Sequence, residues 1–213
     1  ARVLHAAFRQ AMKEGKLGVN PVDLTEPPRP VPFEGRVWTR EQALKFLEVA
    51  EPVEPAKVTK PADRFYALWV LLLSTGLRIG EALALKWSHL HLDADPPYLE
   101  VRESWYEITE KEAERLGTQR RGAKTPKSLK SRRLVALDRR TVEALRQHRV
   151  RQDLEKRVMG ERYRDEGRVF ATLDGRTPYL SNIYEHFTRL VQDAGLPRIR
   201  LHDLRHCHDT HLK

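Results

Sequence analysis

The stretch Phe65-Tyr-Ala-Leu-Trp-Val-Leu-Leu-Leu73, followed by Ser-Thr-Gly76-Leu-Arg78-Ile-Gly-Glu81, decides what kind of fold this chain can adopt. Residues 65–73 are all apolar, so as a helix the segment has no polar face and must be surrounded by other elements at the centre of a core. The run is far shorter than the ~20 residues that cross a bilayer, and no membrane span is expected. Gly76 supplies the helix stop, and a second helix is expected from Arg78 to about Trp87.

Upstream of that centre, Thr39 with Gln42 three residues on predicts a capping box opening an amphipathic helix through Ala43, Leu44, Phe46, Leu47 and Ala50. Val3 to Lys16 carries a helical apolar stripe stopped by Gly15 and Gly18, and Pro21, Pro27, Pro28, Pro30 and Pro32 then read as a stiff linker without regular structure. Residues 1–20 are therefore expected to belong to another domain, with a linker over 21–36 and the compact domain over 37–213. Downstream, Tyr98–Val101 and Trp105–Ile108 read as strands, with Leu134–Leu137 returning across the same small sheet. A charged helix over Thr141–Val158, a strand over Val169–Thr172, a helix over Ser181–Ala194 capped by Ser181, and a last helix over His202–Leu212 complete the pattern. The expected class is α+β, mainly helical with a small antiparallel sheet.

Composition narrows the function. With 40% hydrophobic and 32% charged residues among 213, the chain is globular and polar-surfaced, and disorder throughout is excluded. A lone Cys207 forms no internal disulfide and no signal peptide precedes the first polar turn, so a reducing, cytoplasmic setting is expected. The sequence starts at Ala1 and stops inside a helical pattern, which predicts a piece of a longer protein. The net charge of +9 is concentrated between Lys111 and Arg151, where fourteen basic residues stand against four acidic ones. Within it Arg115, Arg120, Arg121, Lys124, Lys127, Lys130, Arg132 and Arg133 are interrupted by no acid. Such a run repels itself unless an anion lies nearby, and its two readings are a nucleic-acid contact and a solvated loop.

Two constellations carry chemistry. Arg78 falls where one helix stops and the next begins, so its guanidinium and orphan backbone N–H groups face one small volume suited to phosphate oxygens. The blander reading is a pair with Glu81. In Leu201-His-Asp-Leu-Arg-His206, helical spacing puts His202, Arg205 and His206 on one face and turns Leu204, Cys207 and His211 inward. An imidazole beside a guanidinium is a proton-transfer group next to an anion clamp. A metal site from His202, His206, His208, His211 and Cys207 is the rival, but Arg205 is hostile to a cation and no paired ligand motif appears, so no metal is expected.

Together, and in this order, Thr75-Gly-Leu-Arg-Ile-Gly-Glu-Ala-Leu-Ala-Leu-Lys-Trp87 and His202-Asp-Leu-Arg-His206 resemble the two boxes of the tyrosine recombinase (phage integrase) family. Pro126-Lys-Ser-Leu-Lys-Ser-Arg-Arg-Leu-Val-Ala-Leu137 is similar to the hairpin bearing that family's lysine, and Val3 to Pro21 to the last helix of its core-binding domain. The resemblance implies that Arg78 and Arg205 hold the scissile phosphate, that Lys127 protonates the leaving 5′-oxygen with Lys124 and Lys130 as rivals, that His202 assists proton transfer, and that Glu81 orients neighbouring basic groups. It implies transesterification through a phosphotyrosine without metal or cofactor, on duplex DNA, with other recombinase protomers in a synaptic complex. Where relatives carry a small hydroxyl residue and then alanine after the second box, this chain has Cys207 and Asp209. The family's tyrosine lies beyond that box, whereas Tyr66, Tyr98, Tyr106, Tyr163, Tyr179 and Tyr184 all precede it. The fragment is therefore expected to bind DNA without attaching to it. A DNA-binding module without chemistry, a type IB topoisomerase and, last, a metal-dependent hydrolase are the alternatives.

Overall fold

A computed structural model of the chain describes residues 2–26, 37–51, 63–125 and 132–211. The chain divides into two compact units, Ala1–Glu34 and Gly35–Lys213.

In the first unit, helix α1 (Arg2–Lys13) ends before Gly15, whose φ of 69° is the left-handed conformation glycine accepts. Pro21–Leu24, read as irregular linker, is instead a 3₁₀ turn. Proline at its start has φ preset for helical geometry, the Asn20 side chain accepts from the Val22 N–H at 3.1 Å, and Asp23 pairs with His5 at 2.8 Å. Residues 27–36 of the expected linker lie outside the described residues.

In the second unit, helix α2 (Arg40–Ala50) opens with the expected capping box between Thr39 and Gln42 and buries Ala43, Phe46, Leu47 and Ala50. Helix α3 (Tyr66–Thr75) has its first eight residues buried, as an all-apolar helix must, and Gly76 closes it with φ 60°. Trp38, Phe46, Trp69 and Phe187 form an aromatic core beside it, with ring centroids 5.1 to 6.0 Å apart. Helix α4 (Ile79–Ala84) is shorter than its sequence suggests, and Trp87–His89 forms a separate 3₁₀ turn.

The expected single sheet is two. Strands β1 (Leu90–His91), β2 (Tyr98–Val101) and β5 (Arg133–Ala136) form one antiparallel sheet in the order β1-β2-β5; β3 (Ser104–Glu107) and β4 (Arg121–Lys124) form the other. The β2–β5 ladder runs out at Val101 opposite Arg133, and after Arg102 and Glu103 the chain pairs with β4, an element hidden inside the basic run. Helix α5 (Glu110–Leu116) bridges β3 and β4 and was also unforeseen. Helices α6 (Arg139–Met159), α7 (Leu180–Asp193) and α8 (Asp203–His211) follow.

Val169–Thr172 is not a strand. Its buried backbone is satisfied singly: Val169 N–H donates to the Leu85 carbonyl at 3.0 Å, and the Val169 carbonyl accepts from His148 and Gln152 side chains. Ser181 does not cap α7 either; the Glu107 carboxylate receives the Leu180 N–H at 3.1 Å, a cap supplied from 73 residues away. Among the described residues no helix is long and apolar enough to cross a membrane.

Candidate active site

The end of α3, the start of α4 and the first turns of α8 meet at one corner. Gly76 makes it possible: a side chain there would stand 2.7 Å from the His208 ring as well as straining the backbone. Arg205 donates to the Gly76 carbonyl at 2.6 Å, and His208 Nδ1 lies 3.1 Å from the Leu73 carbonyl and donates its proton to it. Both carbonyls are left over where α3 ends, and basic side chains suit the negative end of a helix. His208 is the docking residue that sequence reading missed, although its position three residues after Arg205 puts both on one face of α8.

Arg78 occupies the residue before α4 in extended conformation, φ −69° and ψ 145°, with 59% of its side chain exposed. The Glu81 pair read from the sequence is formed, yet it uses one nitrogen of Arg78 at 3.2 Å. The Arg78 backbone N–H donates to the other oxygen of Glu81 at 2.9 Å, and Arg133 forks onto both oxygens at 3.0 and 2.9 Å. Burial pushes the 5%-exposed Glu81 carboxyl up, but the Arg133 hydrogen bonds, the Arg78 N–H and both guanidinium charges outweigh it and hold the group below its ordinary range. Glu81 is thus ionised and saturated. Gly80 lets α4 lie directly on β3: a side chain would meet the Trp105 carbonyl at 2.6 Å.

His202 directly precedes α8, exposed, its ring edge-on to that of His206 with centroids 5.7 Å apart. Leu204 and Cys207 are turned into the core as expected, and burial pushes the Cys207 thiol up. Asp203 is buried and held in ionised form first by its hydrogen bonds to Arg200, which fixes the turn that presents His202. Among the described residues no three His, Cys, Asp or Glu side chains cluster as metal ligands would.

The basic run splits in two. Arg115, Arg120, Lys124 and Arg132 are exposed, with the Lys124 ammonium 5.4 Å over the Tyr106 ring. Arg121 and Arg133 instead spend their donors within the protein: Arg121 lies 3.9 Å over Tyr179 and donates to the Thr177 and Pro178 carbonyls, and Arg133 holds Glu81. Lys127 and Lys130 lie outside the described residues. Thr125 and Arg132, on either side of that segment, line a cleft of about 630 Å³ with Arg102, Glu103 and Arg133. Arg168, also unforeseen, ties the Ala84 carbonyl at the end of α4 at 2.7 Å while its guanidinium lies 5.1 Å over Trp105.

The phage integrase family profile matches residues 36–213. A tyrosine recombinase XerC-like protein of Caldanaerobacter subterraneus subsp. tengcongensis is 29% identical over 212 residues, 98% of this chain and 53% of that protein. An integrase of Streptomyces ambofaciens is 31% identical over 196 residues, covering 90% of this chain and 45% of its own. The chain thus spans about half the length of the curated relatives it matches. Among solved structures, the Tn1549 transposon integrase in complex with transposon right-end DNA superposes with a TM-score of 0.69 at 20% identity, over 97% of this chain and 62% of that one. A lambda integrase tetramer bound to a Holliday junction gives 0.55 at 18% identity, over 96% and 50%. At these identities the two structures speak for the shared fold.

Proposed function

The chain belongs to the phage integrase family, and from that premise we propose that it is the DNA-handling catalytic part of a site-specific recombinase, with Arg78 and Arg205 gripping one scissile phosphate. The observation that supports the reading is the corner itself: Arg205 bonds the Gly76 carbonyl, two residues before Arg78, which joins the start of α8 to the turn that bears Arg78. Arg78 keeps most of its donors open to solvent, as a group waiting for an anion does. In the pentavalent transition state the phosphate oxygens gain negative charge, and fixed guanidiniums stabilise that state more than the ground state. His202, one turn before Arg205, moves a proton at the phosphate. Lys127 protonates the leaving 5′-oxygen, and Lys124 and Lys130 are its rivals. Duplex DNA, further protomers of the same protein in a synaptic complex and a cytoplasmic place of action belong to this reading; no cofactor does.

The nucleophile in this reading is a tyrosine that follows the second box. The six present all precede that box: Tyr66 is buried with its hydroxyl at Glu51, Tyr98 stacks on His91, Tyr106 bonds Thr118, and Tyr179 lies under Arg121. Burial, with the Asp165 and Glu155 carboxylates, pushes Tyr163 up to about 12, and Tyr184 lies on α7. The test is an end-labelled nicked duplex resolved on a denaturing gel. The whole protein is expected to form a phosphotyrosyl adduct that Arg78→Ala abolishes, and residues 1–213 alone are expected to bind without adduct. An adduct with residues 1–213, or one that survives Arg78→Ala, overturns the reading.

A further inference from the structure

We propose that Arg133 is a positioning residue that keeps Arg78 available to phosphate by occupying the carboxylate that would otherwise capture it. The inference rests on the phosphate-gripping role of Arg78 proposed above and assigns Arg133 a task distinct from contacting DNA.

An ionised carboxylate offers about four acceptor sites. At Glu81 those sites receive the Arg78 N–H, one Arg78 guanidinium nitrogen and both terminal nitrogens of Arg133. Of the four bonds, the one from the Arg78 side chain is the longest, 3.2 Å against 2.9 to 3.0 Å. A guanidinium and a carboxylate three residues apart at a helix start, in a partly buried corner, favour the two-bond fork. Arg78 does not make it, because Arg133 already has. Its side chain stays 59% exposed, against 33% for Arg133 and 5% for Glu81.

Charge leads to the same conclusion. Arg78, Arg133 and Glu81 together carry one net positive charge, which faces the corner where Arg205 adds another. Without Arg133, Glu81 and Arg78 form a neutral pair that attracts no anion, and the nitrogen pair that would grip phosphate oxygens is turned onto a carboxylate. The position of Arg133 also has a geometric consequence. It is the first residue of β5, so the same fork ties the start of that strand to the turn bearing Arg78.

Single-turnover cleavage by the whole protein tests this, with rates normalised to the folded fraction from equilibrium unfolding. Arg133→Gln is expected to slow cleavage roughly 10- to 100-fold, the cost of a misdirected guanidinium. Adding Glu81→Gln to Arg133→Gln removes the charge that captures Arg78 and is expected to restore at least ten-fold. Because removal of a buried, unpaired carboxylate also restores stability, a second substrate separates the two effects. When one non-bridging oxygen of the scissile phosphate is replaced by methyl, the linkage is neutral and needs less from Arg78, so the penalties of Arg78→Ala and Arg133→Gln should shrink together. An Arg133→Gln penalty that is equal on both substrates, or that persists in the double variant, overturns the inference. An Arg78→Ala protein that cleaves normally overturns the underlying role of Arg78 instead.

Discussion

Two clusters of arginine in this molecule show opposite ways of placing the same side chain. On α6, Arg151 donates to the Asp63 and Arg64 carbonyls and to His148, while Arg64 forks onto Glu155 at 2.9 and 2.6 Å and reaches the Ala171 carbonyl. There most of the donors are spent on acceptors of the protein itself. At the α3–α4–α8 corner, Arg78 spends one guanidinium contact and Arg205 is joined to one carbonyl, leaving the fork of Arg78 open. The first arrangement lowers the energy of the fold alone. The second leaves donors open to solvent, where the proposed function seats a phosphate, so the two clusters should respond differently to the same substitution.

Removing Glu155 is the most severe test of that difference. Its side chain is 13% exposed, it holds the fork of Arg64 and lies 3.8 Å from Arg151, so Glu155→Ala strands the partly buried Arg64 guanidinium and should cost about 3 kcal/mol of stability. Equilibrium unfolding in urea measures the loss. On the proposed function, cleavage by the whole protein per folded molecule should stay within about two-fold, whereas Arg78→Ala should leave the unfolding midpoint almost unmoved and remove that cleavage. Equal stability losses for the two variants would erase the distinction.

A pH titration sharpens the same contrast. His148 is buried between the Val169 carbonyl at 2.7 Å and Arg151 at 2.8 Å, so Nε2 carries its proton and Nδ1 accepts from the guanidinium. A second proton would face that donor. Burial first, and then the Arg151 charge, lower His148 from 6.5 to about 4. Since the unfolded chain binds the proton more readily, this contribution is fully present above about pH 6.5 and is lost as pH falls towards 4, a difference of roughly 3 kcal/mol. His148→Gln, which keeps a donor and an acceptor but does not titrate, should flatten stability between pH 6.5 and 4.5 relative to the parent. An unchanged slope would mean that the imidazole is protonated in the folded protein.

How far such differences can be read from sequence depends on how local their causes are. The Thr39 capping box, the Gly76 stop and the buried Tyr66–Leu73 run are local, and each stands where the sequence puts it. The elements misread have distant partners. Ser181 is bypassed because Glu107 caps α7 from β3, Val169–Thr172 loses its strand to side chains of α6, and β4 is invisible until β3 is beside it. Within the site, the Arg78–Glu81 pair was legible from spacing, but the fork from Arg133, 52 residues away, was not. Charge counting treated Arg121 and Arg133 as equal to their neighbours because composition records how many basic groups there are and not where their donors go.

That last difference gives the smallest predicted effect, within the basic run itself. Each guanidinium that neutralises a phosphate releases counterions, and steepens the log–log dependence of binding on salt by about 0.9. Arg115, Arg120 and Arg132 are exposed and able to do so, while Arg121 is held between the Trp105 and Tyr179 rings with two carbonyls on its guanidinium. Arg120→Ala and Arg132→Ala should therefore each reduce the salt slope of duplex binding by close to one unit, and weaken binding a few-fold, on the order of 1 kcal/mol or less at physiological salt. Arg121→Ala should leave the slope where it was and lower the thermal midpoint, because it uncovers two aromatic rings and frees two carbonyls. Fluorescence anisotropy of a labelled duplex across a salt series, with a melting curve for each variant, reads both quantities. A slope that falls for Arg121→Ala and holds for Arg120→Ala would mean that DNA draws Arg121 out of its aromatic seat, and that the donors of the unbound protein do not predict those of the complex.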